Sequence, residues 1–235
     1  MAALLLCVKE YLFMARVNCY IDGFNFYYRV YKNRNRKHSL QYSKWLDLRA
    51  LCDRLSGQND LGDVYYCTAD VHSKRDDPGQ SARQQVFLNA LGAKGEVEIV
   101  KGQFRARTKY GIPTDIERYG SGKIEIQIFE EKGSDVNLAT LLVRDGFLGR
   151  YDQAMVISND SDLSLAISTV VNEITKPVHV VSPDTWVTND LKAAASSNGV
   201  LNVKLLRQCQ LPNPVIDANG NALHCPTSWV RRGRS

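Results

Sequence analysis

The 235-residue chain has no apolar run near the ~20 residues that a membrane-spanning helix needs, so membrane insertion is not expected. The short apolar patch at residues 2–8 has no basic stretch ahead of it and no small-residue cleavage site behind it, which argues against a secretory leader. Its six cysteines stand far apart with no Cys-x-x-Cys pair. That spacing excludes a zinc ribbon and a dense disulfide framework and points to reduced intracellular thiols. His38, His72, His179 and His224 show no metal-ligand spacing, and no P-loop is present. Charge of one sign is scarce too: 30 Lys and Arg against 25 Asp and Glu permit an anionic partner without demanding one. A soluble, cytoplasmic chain is expected. There is no internal repeat, and 44% hydrophobic residues with 23% charged leave room for one well-formed core.

What is there alternates strand with helix. The apolar runs predict strands over 17–21, 63–71, 96–104, 154–158, 177–181 and 200–205, with a further strand from Lys123. Helices are predicted over 44–55, from Asp77 as cap and Pro78 as first residue to Gly92, over 136–147 behind Ser134 as cap, up to Asn172, and over 184–196. Residues 105–122, with three glycines, one proline and several bases, read as a loop or flap. Trp45 and Trp186 read as core anchors. This alternation predicts an α/β fold with a mainly parallel, doubly wound sheet and right-handed crossovers. Residues 1–13 read as an extension, 14–206 as the domain, and 207–235 as a tail with a hairpin at Asn219-Gly220.

The acids fall at special places. Ligands of an open α/β sheet bind beyond the carboxyl ends of its strands. Ile21-Asp22-Gly23-Phe24-Asn25, Ser134-Asp135 and Ser158-Asn159-Asp160-Ser161-Asp162 each put an acid there or at the start of the next helix. A single Asp in such a turn is commonly a helix cap. Several converging on one rim repel unless protonated or bridged by a cation. Oxygen-only ligands suit Mg²⁺ or Mn²⁺, and the chemistry that fits is phosphodiester hydrolysis by a metal-activated water. Asn25 would add a neutral carbonyl ligand or a donor to phosphate. The first-strand motif lacks the Asp-x-Asp of haloacid-dehalogenase phosphohydrolases, since Asp22 is followed by Gly23-Phe24.

Taken together, CYIDGFNFYY, EKGSDVNLATLLVRDG and MVISNDSDLSLAI resemble the three motifs of the NYN domain, in the LabA-like branch of the PIN-like nuclease superfamily. The resemblance covers residues 14–206 and extends to a Leu211-Pro212…Pro226…Trp229 tail. It implies a three-layer α/β/α PIN-like fold, an acidic pocket for Mg²⁺ or Mn²⁺, and RNA as substrate. Carried over by position, Asp22, Asp135, Asp160 and Asp162 are the catalytic metal ligands. Asn25 is the polar partner of the first motif, Lys132 contacts phosphate, and Ser158 orients a carboxylate or a water. The middle motif reads Gly-Ser-Asp where a β-branched residue more often precedes the acid.

Basic residues with interleaved aromatics suit single-stranded nucleic acid. Residues 29–37 (RVYKNRNRK) carry Arg29, Lys32 and Arg34 beside Tyr27, Tyr28 and Tyr31, and residues 101–109 add Arg105 and Arg107. Solvated loops have the same composition. The expected function is a divalent-metal-dependent ribonuclease acting on single-stranded RNA without a membrane. The alternative is a non-catalytic RNA- or protein-binding module, and a homo-oligomer is left open.

Overall fold

A computed structural model describes residues 14–32, 38–73 and 75–230. The first half of the chain forms β1 (Arg16–Asp22), α1 (Gly23–Tyr31), α2 (Leu48–Ser56), β2 (Asp60–Thr68), α3 (Gln80–Lys94) and β3 (Glu98–Lys101). An excursion follows, made of β4 (Gln103–Gly111), α4 (Ile116–Tyr119) and β5 (Ile124–Lys132). The second half forms α5 (Ser134–Phe147), β6 (Gln153–Ile157), α6 (Ser164–Asn172), β7 (Val178–Ser182), α7 (Asn189–Ala194) and β8 (Ser197–Val200). The chain ends in α8 (Lys204–Gln208), β9 (Val215–Ile216) and β10 (Ala222–Leu223).

Six strands form one sheet in the order β3-β2-β1-β6-β7-β8, and every neighbouring pair is parallel. The strand at its centre, β1, is buried along all but its first residue, as a sheet covered on both faces requires. Alternation along β1 feeds two core layers. Val17, Cys19 and Ile21 pack with Leu48, Leu51, Leu88 and Leu91 from α2 and α3. Tyr20 faces the other way, with Leu138, Leu142, Ile167 and Leu191 from α5, α6 and α7. The result is the three-layer α/β/α arrangement expected. Because strand order reverses direction between β1 and β6, the crevice at their carboxyl ends is the switch point where such sheets bind ligands.

Residues 105–122 are not a loop. β4 and β5 pair antiparallel from Gln103–Lys132 to Gly111–Ile124, with α4 at the tip. The break that frees this ribbon is Gly102, which cuts the predicted strand 96–104 in two and donates its N–H to the Thr68 carbonyl at 2.7 Å.

Other departures have local causes. The helix predicted from residue 44 starts at Leu48, because Asp47 caps it through the Ala50 N–H at 3.0 Å and Leu46 bridges Gln210. Asp77 is no cap; its carboxylate pairs with Arg83, and α3 begins after Gly79. Gly133, at φ +100°, precedes α5, so Ser134 is the first helical residue rather than the cap. Of the predicted helix 184–196 only α7 forms. Ser182 Oγ donates to the Trp186 carbonyl at 2.6 Å and accepts from the Asp184 N–H at 3.2 Å, holding 182–186 as a turn. The strand predicted at 200–205 lies at β8 instead, and the Asn202 carboxamide, accepting from the Lys204 N–H, starts α8. Trp45 is a core residue, but Trp186 is 51% exposed.

The tail lies on the domain. Leu211 and Val215 join the α2/α3 core layer, Trp45 Nε1 donates to the Pro212 carbonyl at 2.9 Å, and Trp229 meets Phe87 with ring centroids 6.2 Å apart. The β9–β10 hairpin turns at Gly220 with φ +83°. Cys19, Cys52, Cys67, Cys209 and Cys225 are free thiols. Among the described residues no helix is long and apolar enough to cross a membrane.

Candidate metal centre

Asp22 arrives at the crevice as the last residue of β1 and the cap of α1, with Oδ1 accepting from the Asn25 N–H at 2.9 Å. Gly23 lets the helix leave so abruptly. A Cβ there would stand 2.8 Å from the Cys67 carbonyl and 2.9 Å from the Tyr66 ring. From β6 comes Ser158, wholly buried, which donates to Asp22 Oδ2 at 2.8 Å and accepts from the Asp160 N–H at 3.1 Å. Asp160 caps the following 3₁₀ turn by accepting from the Asp162 N–H.

Asn25 stitches the two strand ends together. Its carbonyl oxygen accepts from the Asn159 N–H at 3.0 Å, and Asn159 in turn accepts from the Thr188 N–H at 2.9 Å. The oxygen expected to serve as a neutral ligand is thus already committed to backbone. Asn25 holds the site rather than offering that atom to it.

Asp22, Asn25, Asp135 and Asp160 line a cavity of about 710 Å³, together with Arg29 and Lys32. The electrostatics follow from the crowding. Burial, then the charges of Asp135 and Asp160, push the Asp22 carboxyl up to about 7, against the lowering effect of its Asn25 and Ser158 hydrogen bonds. Asp135 is pushed up too, by burial and then by Asp160, Glu131 and Asp162. Desolvation and mutual repulsion are the causes.

A divalent cation fits this donor set in part. It would relieve the repulsion, and hard oxygen ligands suit Mg²⁺ or Mn²⁺. Among the described residues, however, no three acids stand close enough to hold an ion by themselves. The ion that suits such a site is one that keeps several waters and takes one or two carboxylates.

The remaining sequence candidates divide. Arg29 and Lys32 reach the cavity wall, Arg29 as the partner of Asp184 at 3.1 Å. Asp162 contributes its backbone and its charge but is not on the wall. In the ribbon, Phe104 packs edge-on against Phe24 at 5.5 Å, and Glu131, directly opposite Phe104, lines the cavity. Strand alternation therefore puts Arg105, Arg107 and Lys132 on the opposite face of the ribbon, away from the acids. Lys132 lies 3.7 Å from Glu130 there, and Glu130 also pairs with Lys109. Arg34 falls outside the described residues.

Sequence reading passed over Glu131, Asp184 and Trp186 as site residues. Glu131 accepts from the Ser134 N–H at 3.0 Å, capping α5 in place of Ser134. Asp184 is 3% exposed yet sits on the cavity wall. The only signal for it was its position at the carboxyl end of a strand, after Ser182-Pro183.

Among proteins of known name, the chain is 27% identical over 243 residues to 6-hydroxy-3-succinoylpyridine 3-monooxygenase HspA of Pseudomonas putida (strain DSM 28022 / S16), covering 91% of this chain and 75% of that protein. A crystal structure of a protein of unknown function from Vibrio parahaemolyticus RIMD 2210633 shares the fold, with a TM-score of 0.50 at 15% identity, over 81% of this chain and 94% of that one. The sequence model of the NYN domain matches residues 16–199, and the chain belongs to the NYN domain family.

Proposed function

We propose that the protein is a divalent-metal-dependent ribonuclease of the LabA-like branch, cleaving single-stranded RNA in the cytoplasm with Mg²⁺ or Mn²⁺. The observation that carries the reading is the convergence of Asp22, Asp135 and Asp160 on one cavity at the β1/β6 switch point, with the buried Asp22 carboxyl raised to about 7.

A metal bound there would supply an activated water and neutralise charge on the phosphoryl oxygens. The chain does the rest. One or two of the Asp22, Asp135 and Asp160 carboxylates, completed by waters, would hold the ion, with Asp162 behind them as a source of negative charge. Ser158 fixes the Asp22 carboxylate, and Asn25 fixes the backbone that presents Asp160. Lys32 meets the RNA phosphates at the mouth, with Arg29 held beside it by Asp184, and Tyr28 and the exposed Trp186 offer faces on which bases stack. In this reading Arg105, Arg107 and Lys132 hold RNA only outside the cavity.

The test is cleavage of end-labelled single-stranded RNA and DNA with Mn²⁺, Mg²⁺ or EDTA, beside Asp22→Asn and Asp160→Asn. Metal-dependent cleavage of RNA lost in both variants is expected. Cleavage retained in both sinks the site. No cleavage of any substrate with RNA bound in EDTA would instead favour a non-catalytic binding module.

The likeness to HspA favours a second reading, oxidation of a small aromatic substrate. Incubating the protein with 6-hydroxy-3-succinoylpyridine, oxygen and an added two-electron reductant, with product mass as readout, separates it from the first.

A further inference from the structure

Beside the acidic cavity lies a second one of about 390 Å³, on the other side of α1. Its walls are rings, among them Phe24, Tyr27, Tyr31 and Trp229. A void of this size amid aromatic side chains is not packing, since protein interiors fill such gaps. It is within the range of small-ligand pockets.

The charge inside is one-sided. Lys44 Nζ lies 5.3, 5.6 and 5.8 Å from the ring centroids of Tyr27, Tyr31 and Trp229, and donates weakly to Tyr27 Oη at 3.4 Å. Among the described residues it forms no ion pair. The acid on the same wall, Asp77, is engaged by Arg83 at 2.5 Å. Burial, then the like charges of Lys32 and Arg83, push the Lys44 ammonium down to about 8. A cation held by ring faces and short of a counter-charge suits an anion, and ring walls suit a flat ring.

We propose that this cavity binds a planar heteroaromatic ring carrying an anionic group, the ring lying against Phe24, Tyr28 and Trp229 and the anion paired with Lys44. Phe24, Tyr28 and Lys32 line both cavities, so the two are neighbours across shared side chains. An RNA strand with its scissile phosphate at the acids would pass over Tyr28 and leave an adjoining nucleotide in the aromatic cavity. That use rests on the ribonuclease reading; the binding does not. A free pyridine carboxylate has the same chemistry as the nucleotide.

The experiment is calorimetric titration of the full chain in EDTA with AMP, UMP and nicotinate, against adenosine, uridine and nicotinamide as their neutral counterparts. At least one anion is expected to bind about tenfold more tightly than its neutral counterpart. Lys44→Met removes that margin, Lys44→Arg keeps it, and Asp22→Asn leaves it as in wild type. Trp229→Ala weakens every probe. Tyr28→Ala, at a residue 47% exposed and outside the core, weakens them without endangering the fold. Nucleotide preference identifies an RNA unit as the occupant, and nicotinate preference a small molecule. No binding at millimolar concentration, equal binding of neutral and charged probes, or undiminished binding by Lys44→Met overturns the proposal. If RNA is never cleaved but these probes bind, the ribonuclease reading falls alone.

Discussion

Ser158 Oγ donates to Asp22 Oδ2 at 2.8 Å while accepting from the Asp160 N–H at 3.1 Å, so one buried hydroxyl ties the acid ending β1 to the acid following β6. Ligand-orienting groups of this kind typically account for about 10–100-fold in metal affinity or activity. Ser158→Ala is therefore expected to raise the Mn²⁺ needed for half-maximal cleavage by about that factor. Ser158→Thr, which keeps the hydroxyl, should recover part of it. A metal titration unchanged from wild type would remove Ser158 from the site.

Asp22 also makes stability depend on pH. Its ordinary value is 3.8, and the fold raises it to about 7. Between those values the folded chain holds a proton that the unfolded chain has released. Stability in EDTA is thus highest below about pH 4 with respect to this group, and falls as pH rises to 7. Asp22→Asn should remove that fall and raise Tm at pH 7.5, by about 2–4 °C for each kcal/mol recovered. Mn²⁺ should raise Tm of the wild type at pH 7.5 and leave the variant nearly unmoved. Thermal melts from pH 4 to 8 check both, and a variant with the wild-type slope would refute the assignment.

Gly23 tests the geometry that delivers Asp22. An added Cβ meets the Cys67 carbonyl at 2.8 Å, and backbone cannot step aside as a side-chain tip can. Gly23→Ala should cost about 1–3 kcal/mol in denaturant unfolding. It should also weaken metal-dependent cleavage, because α1 carries Asn25 and its clamp on Asn159. Gly92→Ala within α3, where a Cβ meets nothing within 4 Å, is the control and should lower neither stability nor cleavage.

The layers of the fold were legible because burial on both faces writes near-continuous apolar runs into β1, where only Asn18 intrudes, and β6, and Asp22 and Asp160 each follow such a run. The ribbon was not. β4 alternates, with Phe104, Ala106 and Tyr110 against Arg105, Arg107 and Lys109, but it is almost wholly exposed, and its partner strand with Ile124, Ile126 and Ile128 comes more than ten residues on, past a stretch of glycines and a proline that reads as a loop. Asp184 was missed for a different reason. The polar run after Pro183 has the composition of a helix start, and only Ser182 folding back on Trp186 makes it a cavity wall. The start of α3 slipped because a competing partner, Arg83, takes the expected cap Asp77.

Placement separates the basic residues by function. Lys32 borders both cavities, and among the described residues it forms no ion pair. Arg29 is already committed to Asp184, and Arg105 and Arg107 lie on the face of the ribbon opposite Phe104. A phosphate contact on a single strand lowers the slope of log K against log salt by about 0.7 when lost. Lys32→Ala should therefore weaken binding of single-stranded RNA in EDTA equally for all sequences and reduce that slope by about 0.7. Arg105→Ala and Arg107→Ala should leave affinity for a short oligonucleotide spanning only the cavity unchanged, and matter solely for longer strands. Fluorescence anisotropy with a short and a long oligonucleotide at several salt concentrations decides it. A loss on the short strand from either arginine would mean that the ribbon folds over the cavity when RNA is bound.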